Sequence, residues 1–167
     1  YDQIPQVELA MGDVLTEQQQ LLGANTAVIL RHMTEFSEGD KILLLKFATD
    51  NNVNLLLQPG DLNTVHAIYG RAELFYKIQI KDKQGHTQNL QYKFHPQDFT
   101  QVNFAINQLM LQQAIDLLNL SGHEKVLDLF CGLGNFTLPI AKTLAQNNGS
   151  VVGIEGCDKM VRRGQSN

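Results

Sequence analysis

Two glycines and one acid carry the chemistry that can be read from this sequence. In Val126-Leu127-Asp128-Leu129-Phe130-Cys131-Gly132-Leu133-Gly134-Asn135-Phe136 a short apolar run turns on Gly132 and Gly134 and leads into a helical segment expected to end near Gln146. A second apolar run, Val151-Val152-Gly153-Ile154, ends in Glu155. Strand, glycine turn, helix, strand and acid, in that order, make a nucleotide-binding βαβ unit. Glycines let the backbone approach a ligand that a Cβ would repel. A carboxylate at the tip of the second strand can accept from both hydroxyls of a ribose. Glu155 follows the turn at close to the roughly 20 residues expected for such an acid. A parallel-sheet core without a ligand is the alternative, because strands buried on both faces have the same apolar character.

The glycines also bear on which nucleotide fits. A dinucleotide fingerprint needs a third glycine, and Thr137 stands there instead. The helix is therefore expected to pack less tightly on its strand, without a row of free amides for a pyrophosphate. Asp128, inside the first strand, would repel a phosphate. A ligand with an adenosine and no phosphates fits better, and S-adenosylmethionine is one. A nicotinamide-dependent oxidoreductase is disfavoured on the same grounds.

The elements that must position these residues follow from the rest of the chain. Residues 7–11 and 26–30 read as strands, separated by a polar stretch at 16–20 and a Gly23-Ala24-Asn25 turn. Ser37 has the character of an N-cap, with Glu38 and Asp40 in the first turn of a helix that runs to about Asp50. Ile42, Leu45 and Phe47 are among its apolar positions. Residues 53–57 form a short strand stopped by Pro59-Gly60. Residues 63–95 read as an antiparallel ribbon. Leu74, Tyr76, Ile78 and Ile80 share one face with Leu90, Tyr92 and Phe94, leaving Lys77, Lys81, Lys93 and His95 on the other. That second face is either a solvated strand surface or a local phosphate-contacting patch.

His95-Pro96-Gln97-Asp98-Phe99 marks a domain boundary. Beyond it Asn103 or Thr100 caps a helix to about Leu120, with Phe104, Leu111, Ala114, Ile115 and Leu118 as its apolar stripe and Gly122 at its C-terminal cap. A further helix starts at Asp158. The organisation is thus an α+β domain over residues 1–97, followed over 98–167 by the first βαβ portion of a Rossmann-like α/β domain. Two central parallel strands cannot cover their own faces and edges, so the chain is expected to be a piece of a longer protein.

Composition sets the outer bounds. The 167 residues suffice for one or two domains, and no apolar run is long enough to span a bilayer. A soluble, cytoplasmic protein is expected. The two cysteines, Cys131 and Cys157, have neither metal-ligand spacing nor a disulfide framework. A net charge of −4 provides no global electrostatic footprint for nucleic acid.

Taken together, Asp98-Phe99-Thr100-Gln101-Val102-Asn103, Asn107-Gln108, the stretch from Leu127 through Thr137, and Gly153-Ile154-Glu155-Gly156 closely resemble the bacterial 23S rRNA (uracil-5-)-methyltransferases. The resemblance is strong over residues 98–167 and looser but collinear over 1–97. It implies a central α+β domain that helps bind RNA and the start of a Rossmann-like class I methyltransferase domain. The implied partner is 23S ribosomal RNA, with no membrane and no DNA. Relatives that modify transfer RNA share similar motifs, and a non-enzymatic RNA-binding module with a relic βαβ core is the other alternative.

The resemblance implies four cofactor contacts. Gln101 would approach the methionine end of S-adenosylmethionine, Phe130 and Asn135 would line its pocket, and Glu155 would hold the ribose hydroxyls. Taken by themselves, Phe130 could be plain core and Asn135 a helix N-cap. The family's mechanism uses a cysteine thiolate that adds to C6 of a uracil taken out of its stack. That nucleophile belongs to a serine-cysteine-asparagine-proline segment, which is expected beyond Asn167. Cys131 reads as a small buried thiol, and Cys157 lacks the required flanks. Many members also hold an iron–sulfur cluster on four upstream cysteines, which these residues do not include. The chain alone is expected to catalyse nothing.

The ribbon offers a direct test. If its lysines contact phosphate, Lys77→Ala with Lys81→Ala in the full-length protein will weaken RNA binding across sequences. The slope of log affinity against log salt will flatten by about 0.7 to 0.9 per lost contact. Filter binding across a salt series reads both quantities, and a merely solvated strand face predicts no change in either.

Overall fold

In the computed structural model, which describes residues 3–13, 24–83, 85–145 and 147–167, the elements follow in the order β1 (Gln6–Met11), β2 (Thr26–Arg31), α1 (Glu38–Asp50), β3 (Asn54–Gln58), β4 (His66–Tyr69), β5 (Leu74–Lys81), β6 (Thr87–Phe94), α2 (Phe104–Leu118), β7 (Lys125–Leu129), α3 (Thr137–Leu144), β8 (Ser150–Ile154) and α4 (Asp158–Ser166). The polar stretch expected at 16–20, Gly23 of the expected turn and Gln146 lie outside the described residues. The chain divides into two units. One is Tyr1–Tyr76 with Phe94–Gln97; the other is Lys77–Lys93 with Asp98–Asn167. Most of the β5–β6 ribbon therefore goes with the later unit, across the boundary expected near residue 97.

The first unit is a four-stranded sheet in the order β1-β2-β3-β4. β1 pairs antiparallel with β2, β2 parallel with β3, and β3 antiparallel with β4. A parallel pair needs a crossover, and α1 supplies it. This helix begins as expected: Ser37 Oγ accepts from the Asp40 N–H at 3.2 Å, and Asp40 Oδ2 accepts from the Ser37 N–H at 3.1 Å. That reciprocal pair is a capping box. α1 meets the sheet through Leu44 and Ala48, one turn apart, against Val28, Leu30, Leu55 and Leu57. Ile42 and Phe47 remain exposed. Apolar residues occur on several sides of this helix, so the sheet rather than the helix pattern selects the buried side.

Residues 66–69 correct the ribbon expected over 63–95, because they pair with β3 instead. Asn54 shows the reason. Its side chain is buried, with Nδ2 donating to the carbonyls of Ala24 at 2.8 Å and Thr26 at 3.0 Å and Oδ1 accepting from the Arg71 N–H at 3.0 Å. The chain leaving β4 is thereby pinned beside the start of β3. Gly70, at φ +71, passes so close that a Cβ would lie 2.3 Å from Asn54 Oδ1.

In the second unit β7 and β8 run parallel, from Lys125 opposite Ser150 to Leu129 opposite Ile154. Val126 and Val151 pack with Phe136, Ile140, Leu144, Ile115 and Leu120 on one face. The alternate positions Leu127, Leu129, Val152 and Ile154 are between 52% and 58% exposed. The loose helix–strand packing expected from Thr137 is not what the structure shows. A Cβ added to Gly153 of β8 would lie 2.9 Å from Thr137 Oγ1 and 2.8 Å from Cys131 Sγ. The small residue that permits close approach sits on the strand instead of the helix.

α2 starts at Asn103, whose Oδ1 accepts from the Ile106 N–H at 3.0 Å. It ends in left-handed Asn119, φ +45, and not at Gly122 as expected. Its buried side is Asn107, Leu111 and Ile115, while Leu118 is exposed. Gln108 and Gln112, also one turn apart, reach the edge of β5. The Gln79 N–H donates to Gln108 Oε1 at 2.7 Å, and Gln108 Nε2 donates to the Gln79 carbonyl. Gln112 treats Lys81 in the same way, at 2.7 and 3.2 Å. On β6, Asn167 accepts from the Lys93 N–H at 2.8 Å and donates to its carbonyl at 3.3 Å. The exposed alternation of β5 carries Lys77 and Lys81.

These side-chain amides behave as short surrogate strands on edges that would otherwise be open. Gln108→Leu with Gln112→Leu is expected to lower stability by about 1–3 kcal/mol, from several hydrogen bonds of modest net worth. Urea unfolding followed by circular dichroism measures the loss, and light scattering should show association through the freed edge.

Candidate cofactor site

The site is built where β7 and β8 end. Past Leu129 the chain turns through Phe130 (φ +60), Gly132 (φ +57) and Gly134 (φ +89), all left-handed. The Cys131 N–H donates to the Ile154 carbonyl at 3.0 Å, and the Gly134 N–H donates to the Cys131 carbonyl at 2.8 Å. Glu155 closes the arrangement. Its Oε2 accepts from the Gly132 N–H at 3.0 Å and its Oε1 from the Cys157 N–H at 2.9 Å. Gly132 thus spends its amide on a carboxylate, and a pyrophosphate brought to this turn would meet fixed negative charge. Each Glu155 oxygen has a second lone pair for a hydroxyl donor. Beyond it, a Cβ added to Gly156 would touch nothing within 4 Å.

Beneath the turn, Thr137 Oγ1 donates to Asp128 Oδ2 at 2.6 Å. Burial pushes the Cys131 thiol up from its ordinary value. A hydrogen bond with Thr137 acts against that, while the Asp128 and Glu155 carboxylates raise it further. The thiolate form is disfavoured here, which makes Cys131 a poor nucleophile at neutral pH.

The residues singled out in the sequence occupy different settings. Phe130 is not core: it is 89% exposed. Asn135 is not the N-cap of α3, since that position is Phe136, which makes no side-chain cap bond. The Asn135 amide instead pairs reciprocally with Asn107, at 3.0 and 2.9 Å. Gln101 is exposed in the irregular segment before α2. Glu155 and the glycine turn are joined directly; no such bond is seen between Gln101 and the turn among the described residues.

Two supporting residues escape a reading based on spacing. Asn107 is 2% exposed and anchors the turn from α2. Its signal was a polar residue in register with Leu111 and Ile115 on the inward stripe. The Tyr92 hydroxyl donates toward the carbonyls of Gly134 at 3.3 Å and Asn135 at 3.4 Å, and the alternation of β6 says only that it points inward. An ion pair between Arg163 and Asp98 ties α4 to the segment before α2. Both cysteines are free, and among the described residues no group of three or more His, Cys, Asp or Glu could hold a metal ion.

Comparison with known proteins bears on the same residues. A family model described as tRNA (uracil-5-)-methyltransferase matches residues 67–156. The 23S rRNA (uracil(1939)-C(5))-methyltransferase RlmD of Alcanivorax borkumensis is 43% identical over 98% of this chain and 33% of its own length. The enzyme of the same name from Hahella chejuensis is 42% identical over 100% of this chain and 33% of its own. The chain therefore spans about a third of the curated relatives it matches. Among solved structures, P. horikoshii TYW2 in complex with MeSAdo gives a TM-score of 0.45 at 17% identity, covering 91% of this chain and 53% of that one. That likeness is too slight to bear on fold or ligand.

The thiol environment is testable by alkylation. In a Cys157→Ser background, the reaction of Cys131 with iodoacetamide should rise with pH through a midpoint above the ordinary 9.0. Asp128→Asn removes one carboxylate that favours the protonated thiol, so it should move the midpoint down. A midpoint below that ordinary value in the Cys157→Ser protein would contradict this account.

Proposed function

Because the chain belongs to the tRNA (uracil-5-)-methyltransferase family, we propose that the whole protein transfers a methyl group from S-adenosylmethionine to C5 of a uridine in 23S ribosomal RNA, in the bacterial cytoplasm. The observation that carries this reading is a family match running through both the glycine turn and Glu155. The choice of ribosomal over transfer RNA rests on relatives more than 40% identical whose names specify 23S rRNA.

S-Adenosylmethionine would supply the electrophilic methyl group, and the donor set at the turn suits it. Glu155 has lone pairs left for two ribose hydroxyls, and the Gly132 amide is already committed to that carboxylate. Phe130 presents an aromatic ring from a left-handed backbone, a conformation that costs a non-glycine residue energy and gathers at ligand sites. Asn135, held by Asn107, would line the pocket, and Gln101 would approach the methionine end. With its thiol pushed toward the neutral form, Cys131 is not assigned the attack on uracil C6; that role goes to a cysteine elsewhere in the whole protein. Residues 98–167, together with the ribbon residues 77–93 that group with them, would be the start of the cofactor domain, and the remainder of 1–97 a central domain that contacts RNA; Lys77 and Lys81 would be phosphate contacts.

Incubating the whole protein with labelled cofactor and unmodified 23S rRNA should place label on pyrimidine C5. Label on ribose or adenine would overturn the reading. Glu155→Ala should weaken S-adenosylhomocysteine binding by at least about tenfold, the loss of more than one hydrogen bond to a charged acceptor.

A further inference from the structure

Helix α4 starts at Asp158, with Cys157 as its N-cap. Its near end therefore lies at Glu155, the proposed ribose acceptor, whose Oε1 takes the Cys157 N–H. From there the helix runs along the glycine turn. A Cβ added to Gly164 would lie 3.2 Å from the Leu133 carbonyl oxygen, and one added to Gly132 would lie 3.3 Å from Met160 Cε. Arg163 stands five residues beyond Asp158, about 7.5 Å along the helix axis. There its guanidinium donates to Asp98 Oδ1.

Asp98 opens the segment that carries Gln101. The ion pair is enclosed, with the Asp98 side chain 6% exposed and that of Arg163 23% exposed. Removing one partner of such a pair leaves the other charge uncompensated. At its far end the segment is fixed by Asn103, which caps α2. Between these anchors Phe99, Gln101 and Val102 are exposed. The path of the segment is thus set at its ends and not by burial of these side chains. Gln101 is three residues from Asp98, within about 11 Å along the chain.

We propose that Arg163 is a positioning residue: by holding Asp98 it places Gln101 for the amino-acid end of S-adenosylmethionine. The inference rests on the cofactor reading above. A glutamine amide suits that end of the ligand, since its oxygen accepts from an ammonium and its nitrogen donates to a carboxylate. Such contacts give less affinity when the backbone that bears them must be ordered on binding. α4 would then join the two ends of the site, Glu155 for the ribose and, through Arg163 and Asp98, Gln101 for the amino acid.

The test is isothermal titration of the whole protein with S-adenosylhomocysteine and with methylthioadenosine. Both ligands have the adenosine and the sulfur, and only the first has the amino-acid group. Arg163→Met should weaken S-adenosylhomocysteine about tenfold, the scale of one hydrogen bond to a charged group, and leave methylthioadenosine unchanged. Gln101→Ala should do the same. Arg163→Met added to Gln101→Ala should cost nothing further, because the two residues act as a unit. Arg163→Lys keeps the charge and should recover most of the lost affinity, while Glu155→Ala should weaken both ligands. Circular dichroism reports folding; should Arg163→Met not fold, Asp98→Asn carries the same comparisons. Equal weakening of both ligands in a folded variant, or a further loss in the Gln101→Ala background, would make Arg163 merely structural and overturn the proposal. Binding of both ligands that ignores Arg163→Met defeats this inference alone. Failure of the unaltered protein to bind either compound defeats the cofactor reading, and this inference with it.

Discussion

A two-stranded ribbon has two open edges, and the second unit depends on closing them. Backbone N–H and C=O groups on an unpaired edge invite another strand. Here Gln108 and Gln112 close β5, and Asn167 closes β6, each presenting one donor and one acceptor to a single backbone residue. A primary amide has the geometry of a peptide group, so it substitutes for a strand without adding one. The apolar side of the ribbon, with Ile78, Ile80, Leu90 and Tyr92 buried, then becomes part of the unit that carries the site.

From that base the glycine turn is held on two sides. Asn107 pairs with Asn135, and Tyr92 bonds the carbonyls of Gly134 and Asn135. On the strand side, Glu155 and the Cys131–Ile154 backbone bond tie the turn to the end of β8. A turn with left-handed residues at Phe130, Gly132 and Gly134 loses much conformational freedom on ordering, and these bonds offset part of that loss. Gly153 completes the support, since only a residue without a side chain lets Thr137 and Cys131 lie against β8. The small residue that a dinucleotide fold places on its helix can equally be placed on the facing strand, because the clearance between the two is what matters.

Part of this was legible in the residues alone. The βαβ unit, the alternation of β5 and β6, the Ser37 N-cap and a cap at Asn103 or Thr100 depend on neighbours within a few positions, and local spacing specifies them. The reading against a pyrophosphate rested on Thr137, whereas the structure shows a feature no spacing reveals, the Gly132 amide bound by Glu155.

What tertiary structure decided were pairings between distant residues. β4 was assigned to the first sheet because Asn54 pins Arg71 there, seventeen positions along the chain. The inward side of α1 was chosen by the sheet, since apolar residues on several sides of a helix define no single stripe. Asn135 was turned from a cap into one half of a part-buried amide pair because a partner twenty-eight positions earlier competes for it. The side-chain partners of Gln108 and Gln112 had no sequence signal. Amides accept and donate equally well to water, and only the edge of β5, brought alongside by the fold, gives them a preferred direction.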